Sequence, residues 1–88
     1  MASYKIVFKP SAEKDLRSLP KVAVGRIFKR IEALSVDPLP RGSTKLAGAE
    51  GLYRIRIGDY RTIYGVDEEK RQIVVHYVRH RRDVYRRL

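Results

Sequence analysis

The sequence predicts an α+β domain: an N-terminal strand, a helical hairpin, a three-stranded antiparallel meander and a short C-terminal helical turn. Two patterns support this prediction. Apolar residues recur at helical spacing in the first half of the chain, and from Leu52 onward they alternate at a period of two. Because helices and strands are segregated along the chain, we expect the helices to cover one face of the sheet and to leave the other open.

The first half of the chain contains one strand and two helices. Residues 4–8 (YKIVF) are rich in β-formers and stand before Pro10, which predicts the first strand. A short amphipathic helix follows over 11–19, with Ser11 as its N-cap. Pro20 suits the first turn of a second helix. The apolar residues of that helix share one face: Val24, Ile27, Phe28, Ile31 and Leu34.

A connection joins the helices to the second half of the chain. Residues 37–42 (DPLPRG) end the second helix. Residues 43–51 (STKLAGAEG) contain two glycines and little periodicity, so we interpret them as a connection within one domain. The length of 88 residues fits a single compact domain spanning 1–88.

A tight hairpin is predicted at Gly58-Asp59, because glycine at the first loop position suits a two-residue type II′ turn. Residues 72–80 (QIVVHYVRH) form the last strand, and residues 81–88 form the helical turn. Around the hairpin, the apolar face pairs Ile57 with Tyr60, Ile55 with Thr62 and Tyr53 with Tyr64; the other face pairs Arg56 with Arg61 and Arg54 with Ile63.

The chain is strongly basic, with a net charge of +10. Residues 51–88 carry nine arginines and one lysine, whereas residues 1–50 carry six lysines and four arginines. Arginine presents a planar fork of donors that matches phosphate and stacks on bases. The charge therefore favours a polyanionic partner, either a nucleic acid or an acidic protein, over a basic surface that is merely solvated.

The arginines of the hairpin are the leading candidate site. Arg54, Arg56 and Arg61 come together by strand alternation and one turn, and Arg79 or Arg81 could join them from the last strand. Opposed like charges cost stability, which a phosphate bound among them would recover. The alternative is an open sheet face that is exposed to solvent and made soluble by the arginines, with no ligand bound.

Two further side chains are candidates for proton transfer. Tyr85 shares a predicted helical face with Arg81, four residues earlier. The alternative is that Tyr85 is only a packing residue. His80 lies between two arginines in the sequence, where a neutral imidazole could take up a proton; the alternative is that it is only a surface residue.

Several classes of protein are excluded or disfavoured. The chain has no cysteine, which excludes disulfides and thiol catalysis and fits a reducing cytoplasm. We expect no membrane span, no metal and no cofactor, because the sequence has neither a long apolar run nor a phosphate-loop, paired-carboxylate or metal-ligand pattern.

The sequence resembles the RelE/ParE superfamily of toxins from toxin–antitoxin pairs over nearly its whole length. The resemblance rests on YKIVFKPSAEKDLRSLP, KLAGAEGLYRIRIGDYRTIYGV and VRHRRDVYRRL, in that order. It implies a RelE-like fold with a four-stranded sheet and a cytoplasmic toxin neutralised by a RelB-like antitoxin. RelE-like members are ribosome-dependent endoribonucleases (mRNA interferases) that cleave mRNA in the A site without a metal, by 2′-hydroxyl attack. ParE-like members instead inhibit DNA gyrase and lack the nuclease residues.

The resemblance also implies roles for particular residues. Arg61, Arg81 and Tyr85 match the catalytic positions of the RelE pattern, and Arg54 and Arg56 match its basic hairpin positions; we add His80 as a further RNA-binding residue. These matches favour the nuclease over the gyrase inhibitor. The hairpin positions are usually lysines in RelE proteins, and arginine effectively cannot act as a base. The base is then Tyr85 or His80, or the ribosome supplies substrate alignment in its place.

Overall fold

The computed structural model describes residues 3–48 and 50–80. Their elements are β1 (Lys5–Phe8), α1 (Pro10–Arg17), α2 (Lys21–Ala33), β2 (Ser43–Lys45), β3 (Leu52–Ile57), β4 (Tyr60–Asp67) and β5 (Gln72–His80). The α+β class, the order of the two helices and the β3–β4–β5 meander are as predicted. The helical turn predicted for 81–88 lies outside the described residues.

The strands form one sheet in the order β1-β5-β4-β3-β2. β1 runs parallel to β5, and every other neighbouring pair is antiparallel. We expected residues 43–51 to be only a connection, but Ser43–Lys45 forms β2, which pairs with the edge of β3. The sheet therefore has five strands, whereas the resemblance implied four. Such a short polar strand is held by backbone hydrogen bonds, and its sequence shows no apolar alternation.

The β3–β4 hairpin has the predicted register. Gly58 takes a φ of +61°, which glycine adopts without the penalty that a side chain imposes. All the predicted partners are observed, including Arg56 opposite Arg61 and Arg54 opposite Ile63. The turn therefore determines which side chains share each face of the sheet.

The hydrophobic core lies between the helices and one sheet face. Ile27 and Ile31 of α2, and Leu34 at its C-cap, are buried there with apolar side chains of β3, β4 and β5: Ile55, Ile57, Tyr64, Ile73, Val75 and Val78. Of the helices in the described part of the chain, none is long and apolar enough to cross a membrane.

α1 covers the edge of β5 that β1 leaves open. β1 pairs with β5 as far as Phe8 and Val75. Beyond that point Ser11 Oγ donates a hydrogen bond of 2.6 Å to the carbonyl oxygen of His76. We expected Ser11 to be the N-cap of this helix, and that prediction is wrong. The helix begins at Pro10, and Lys9 is in the cap position. The side chains of α1 thus continue the edge pairing that the strand backbone began.

Asp15 makes the strongest polar contact between α1 and β5. Its Oδ2 accepts hydrogen bonds from the backbone N–H of Val78, at 3.0 Å, and from Nε of Arg79, at 2.9 Å. The two side chains are only 18% and 19% exposed, so water screens the ion pair weakly. The carboxylate satisfies an edge N–H and fixes Arg79 at the same time.

Replacing Asp15 by alanine is expected to lower the free energy of unfolding by about 1–3 kcal/mol, because the Val78 N–H and the Arg79 guanidinium both lose their acceptor. Urea denaturation measures this loss. Glu32→Ala is the matched control, since it removes the same charge from an exposed helix position and should change stability by less than about 0.5 kcal/mol. Equal effects of the two substitutions would contradict the role given to Asp15.

Candidate functional site

Three arginines lie in one row across three strands. Arg61 of β4 is the Cα partner of both Arg56 on β3 and Arg79 on β5. We call Arg56, Arg61 and Arg79 the arginine row. The residues beside them in each strand, such as Ile57, Thr62 and Val78, are buried on the helix side. Strand alternation therefore places the arginine row on the opposite, open face.

Arg54 extends the cluster along β3. It lies two residues from Arg56, on the same face, and its Cα partner on β4 is Ile63. Three of the predicted site residues, Arg54, Arg56 and Arg61, are thus brought together as expected.

Among the described residues, the hydrogen-bonding contacts of the Arg56 and Arg61 guanidinium groups are to backbone carbonyl oxygens. Arg56 Nε donates to the carbonyl oxygen of Gly58 at 3.2 Å, and Arg61 Nη1 lies 3.5 Å from the carbonyl oxygen of Tyr60. Within residues 3–48 and 50–80, no carboxylate forms an ion pair with Arg54, Arg56 or Arg61; the ion pairs there are Arg71–Glu68 and Arg79–Asp15. Apart from those two backbone contacts, the donors of these arginines are not taken up by any carboxylate of the described residues, so they suit an anionic ligand.

Arg79 differs from the rest of the arginine row. Its charge is balanced by Asp15, and its guanidinium carbon lies 4.7 Å from the centre of the Tyr77 ring. These two contacts hold the side chain in one place at the end of the row. Arg79 therefore adds a positioned guanidinium while contributing less net charge than Arg56 or Arg61.

His80 does not join Arg54, Arg56 and Arg61 on the open face. It is the Cα partner of Tyr60, on the helix side of the sheet, and the two rings meet edge to face with their centres 5.6 Å apart. The cause is simple alternation: Arg79 points to the open face, so the next residue points away from it. Arg81 and Tyr85, the other predicted catalytic residues, lie outside the described part of the chain.

A histidine that we expected to be structural, His76, lies on the open face. The β4–β5 pairing shifts register here, since Ile63 pairs with Tyr77 and Tyr64 pairs with Val75. His76 is the extra residue, and its Nε2 lies 3.5 Å from the position that a Cβ on Gly65 would occupy. It lines a cleft of about 530 Å³ whose rim includes acidic residues: Glu50, Asp67, Glu68 and Glu69.

The pKa of His76 is lowered, first by burial and then by the positive charge of Lys9. The unfolded chain consequently binds more protons than the folded chain at pH values just below 6.5, so stability falls as the pH drops through that range. We expect His76→Gln to reduce this loss. The measurement is the difference in free energy of unfolding between pH 7 and pH 5, and an identical difference in wild type and variant would contradict the assignment.

A cation that the sequence did not single out, Arg26 of α2, lies beside the hairpin turn. Arg26 and Arg56 both line a cleft of about 220 Å³ between α2 and the turn at Gly58. In the sequence, Arg26 is one of several charged residues on a helix, with nothing to distinguish it from a solvated position. Only the packing of α2 against the sheet shows that it stands next to the hairpin.

The chain matches a family model described as the ParE toxin of type II toxin–antitoxin systems over residues 6–85. It belongs to the RelE/ParE toxin family. The protein is thus a type II toxin, and the resemblance inferred from its sequence is confirmed. Toxin RelG of Mycobacterium tuberculosis is 33% identical over 85 residues, which cover 96% of this chain and 98% of that protein.

Solved structures of RelE/ParE toxins share the fold. The toxin–antitoxin complex RelBE2 of M. tuberculosis contains a chain with a TM-score of 0.79 and 31% identity, covering 89% of this chain and 98% of its own. The archaeal RelE–RelB complex of Pyrococcus horikoshii gives a TM-score of 0.79 and 34% identity, covering 92% of this chain and 97% of its own. These matches agree with the arrangement of two helices on an antiparallel-dominated sheet.

Proposed function

We propose that this toxin is a ribosome-dependent endoribonuclease that cleaves mRNA in the ribosomal A site. The observation that carries the proposal is the pairing of Arg56 with Arg61 on an open sheet face, where neither has a carboxylate partner among the described residues. Such a cluster is costly unless an anion binds it. Charge-assisted bidentate bonds from guanidinium to phosphate are among the strongest hydrogen bonds available, so RNA phosphate is the fitting ligand.

In the proposed reaction, the 2′-oxygen of one nucleotide attacks the adjacent phosphorus and the bond from phosphorus to the 5′-oxygen breaks. The 2′-hydroxyl proton passes to a base, and the leaving 5′-oxygen takes up a proton. Negative charge accumulates on the phosphoryl oxygens as five oxygens crowd the phosphorus. Arg61 and Arg81 would stabilise that charge, while Arg54 and Arg56 would hold the flanking phosphates. No metal takes part in this scheme.

The proton transfers are assigned to Tyr85. Arginine stays protonated, so Arg54 and Arg56 cannot supply the base. His80 was the other candidate, and its position beside Tyr60 on the helix side counts against it. Tyr85 follows Arg81 by four positions in the sequence, and a neighbouring guanidinium would stabilise the charged form of a tyrosine, which suits it to accept and return a proton. Alignment of the mRNA by the ribosome would supply a further part of the rate.

We also propose a RelB-like antitoxin as the cognate partner and the cytoplasm as the place of action. The similar solved structures are the toxin–antitoxin complex RelBE2 of M. tuberculosis and the RelE–RelB complex of P. horikoshii. The net charge of +10 favours an acidic partner segment over the same surface that binds RNA. mRNA and ribosomes would be the target of the free toxin.

Inhibition of DNA gyrase without nuclease activity is the second candidate function. The observation in its favour is that the matching family model is named for the ParE toxin. On this alternative the arginine row would be a protein-binding surface without chemistry of its own.

Primer extension on a reporter mRNA, with purified toxin and with or without ribosomes, tests the proposal. We expect cuts only when ribosomes are present, and we expect Arg81→Ala and Tyr85→Phe to remove them while the far-UV spectrum stays unchanged. Uncut mRNA in the presence of ribosomes, together with DNA synthesis halting before protein synthesis after induction, would replace this function with gyrase inhibition.

A further inference from the structure

The β3–β4 turn is flanked by arginines from two different elements. Arg56, on the strand side, donates from Nε to the carbonyl oxygen of Gly58 at 3.2 Å. On the helix side, Nη1 of Arg26 would lie 3.8 Å from a Cβ placed on Gly58, which is ordinary van der Waals contact. The two arginines line one cleft of about 220 Å³, together with Asp59, Tyr60 and Ile57.

The cleft has a net positive charge. Arg26 and Arg56 are exposed and form no ion pair within the part of the chain that the structure describes. Asp59 is the one acidic side chain lining the cleft, and its carboxylate lies beyond ion-pairing distance of both arginines. An anion entering between the two guanidinium groups would therefore find donors on both sides.

The positive charge continues along α2. Ile27 and Ile31 face the core, so the exposed side of the helix carries Arg26, Lys29 and Arg30. These residues are three and four positions apart and therefore neighbours on the helix surface. Because Arg26 lines the same cleft as Arg56 and Gly58, the cations of the open sheet face and those of the helix come together at the hairpin turn.

We propose that Arg26 is a phosphate-binding residue, and that the cleft between α2 and the turn takes a backbone phosphate of the RNA away from the scissile bond. The RNA-binding surface then extends from the arginine row around the turn to α2. The inference rests on the proposed function in that it takes RNA as the ligand. It assigns Arg26 to binding and gives it no part in the cleavage step.

Salt dependence of RNA binding tests the assignment. The probe is a fluorescent single-stranded oligoribonucleotide in which every 2′-hydroxyl is methylated, so that it cannot be cleaved by 2′-hydroxyl attack. Anisotropy titrations at several salt concentrations give the slope of log K against log [salt]. Each phosphate contact to single-stranded RNA contributes about 0.7 to that slope, so Arg26→Ala should make it shallower by about 0.7. Arg26→Lys, which keeps the charge, should restore most of it.

Arg17→Ala is the matched control. Arg17 is an exposed arginine on α1 that lines a different groove, with Phe8 and Phe28. The substitution removes the same charge from the chain and should leave the slope nearly unchanged. If Arg26→Ala and Arg17→Ala change the slope equally, Arg26 acts only through net charge and the inference is wrong.

The cleavage assay separates this inference from the proposed function. A wild-type protein that binds the probe through Arg26 but cuts no mRNA on ribosomes keeps the inference and loses the nuclease. A protein that cuts mRNA while Arg26→Ala leaves the slope unchanged keeps the nuclease and loses the inference. Absence of any binding to the probe at low salt would overturn the assignment of Arg26.

Discussion

Arg61→Ala is expected to lower ribosome-dependent mRNA cleavage by about 10²–10³-fold, the usual effect of removing one preorganised donor from a developing oxyanion. Arg61 is the central member of the arginine row, with Arg56 on one neighbouring strand and Arg79 on the other. Its substitution removes the side chain in the middle of the row, the one whose Cα is paired with both of the others. Single-turnover cleavage of a ribosome-bound reporter mRNA is the measurement.

Two further variants make this test specific. Arg61→Lys keeps the charge but loses the bidentate fork, so we expect cleavage between that of wild type and that of Arg61→Ala. Arg71→Ala is the control, because Arg71 lies just before β5, outside the arginine row. Its guanidinium carbon is 4.2 Å from the centre of the Tyr4 ring, and it pairs with Glu68. It should cleave like wild type. Near-normal cleavage by a folded Arg61→Ala variant would remove Arg61 from the catalytic site.

Ile31→Ala is expected to lower the free energy of unfolding by about 2–5 kcal/mol, because a buried side chain is lost and a cavity is left behind. Ile31 is 1% exposed and belongs to the buried face of α2 that packs on the sheet. Small domains have only about 5–15 kcal/mol of stability in total, so this substitution alone removes a large share. Urea denaturation measures the change.

Val22→Ala provides the comparison for Ile31→Ala. Val22 lies on the same helix, is 77% exposed, and loses its side chain without leaving a cavity. We expect a change within about 0.5 kcal/mol. If Ile31→Ala were equally mild, α2 would not be packed on the sheet as described, and the placement of Arg26 beside the hairpin turn would fail with it.

Much of the fold follows from local patterns in the sequence. The helical spacing from Val24 to Leu34 predicted α2, and period-two alternation around Gly58-Asp59 predicted the hairpin and its register. Both patterns operate between residues near one another in the chain. Ser43–Lys45 escaped prediction because an edge strand of three polar residues needs only a backbone to pair with.

In the candidate site, too, local sequence patterns predicted some features and not others. The cluster of Arg54, Arg56 and Arg61 was predictable, since one turn and strict alternation place them together. The same alternation, applied to β5, would have set His80 on the other face from Arg79. Nothing local indicated His76 on the open face, because it depends on a register shift between β4 and β5.

By itself, the sequence determined that cations from two adjacent strands would oppose one another on one face, because the turn and the two-residue period of a strand leave no other arrangement. The tertiary structure alone decided that Asp15 would hold Arg79 and that Arg26 would line one cleft with Arg56 and Gly58. Asp15 and Arg79 are 64 positions apart in the chain. Contacts of that range are set by how the helices pack on the sheet, and no local spacing records them.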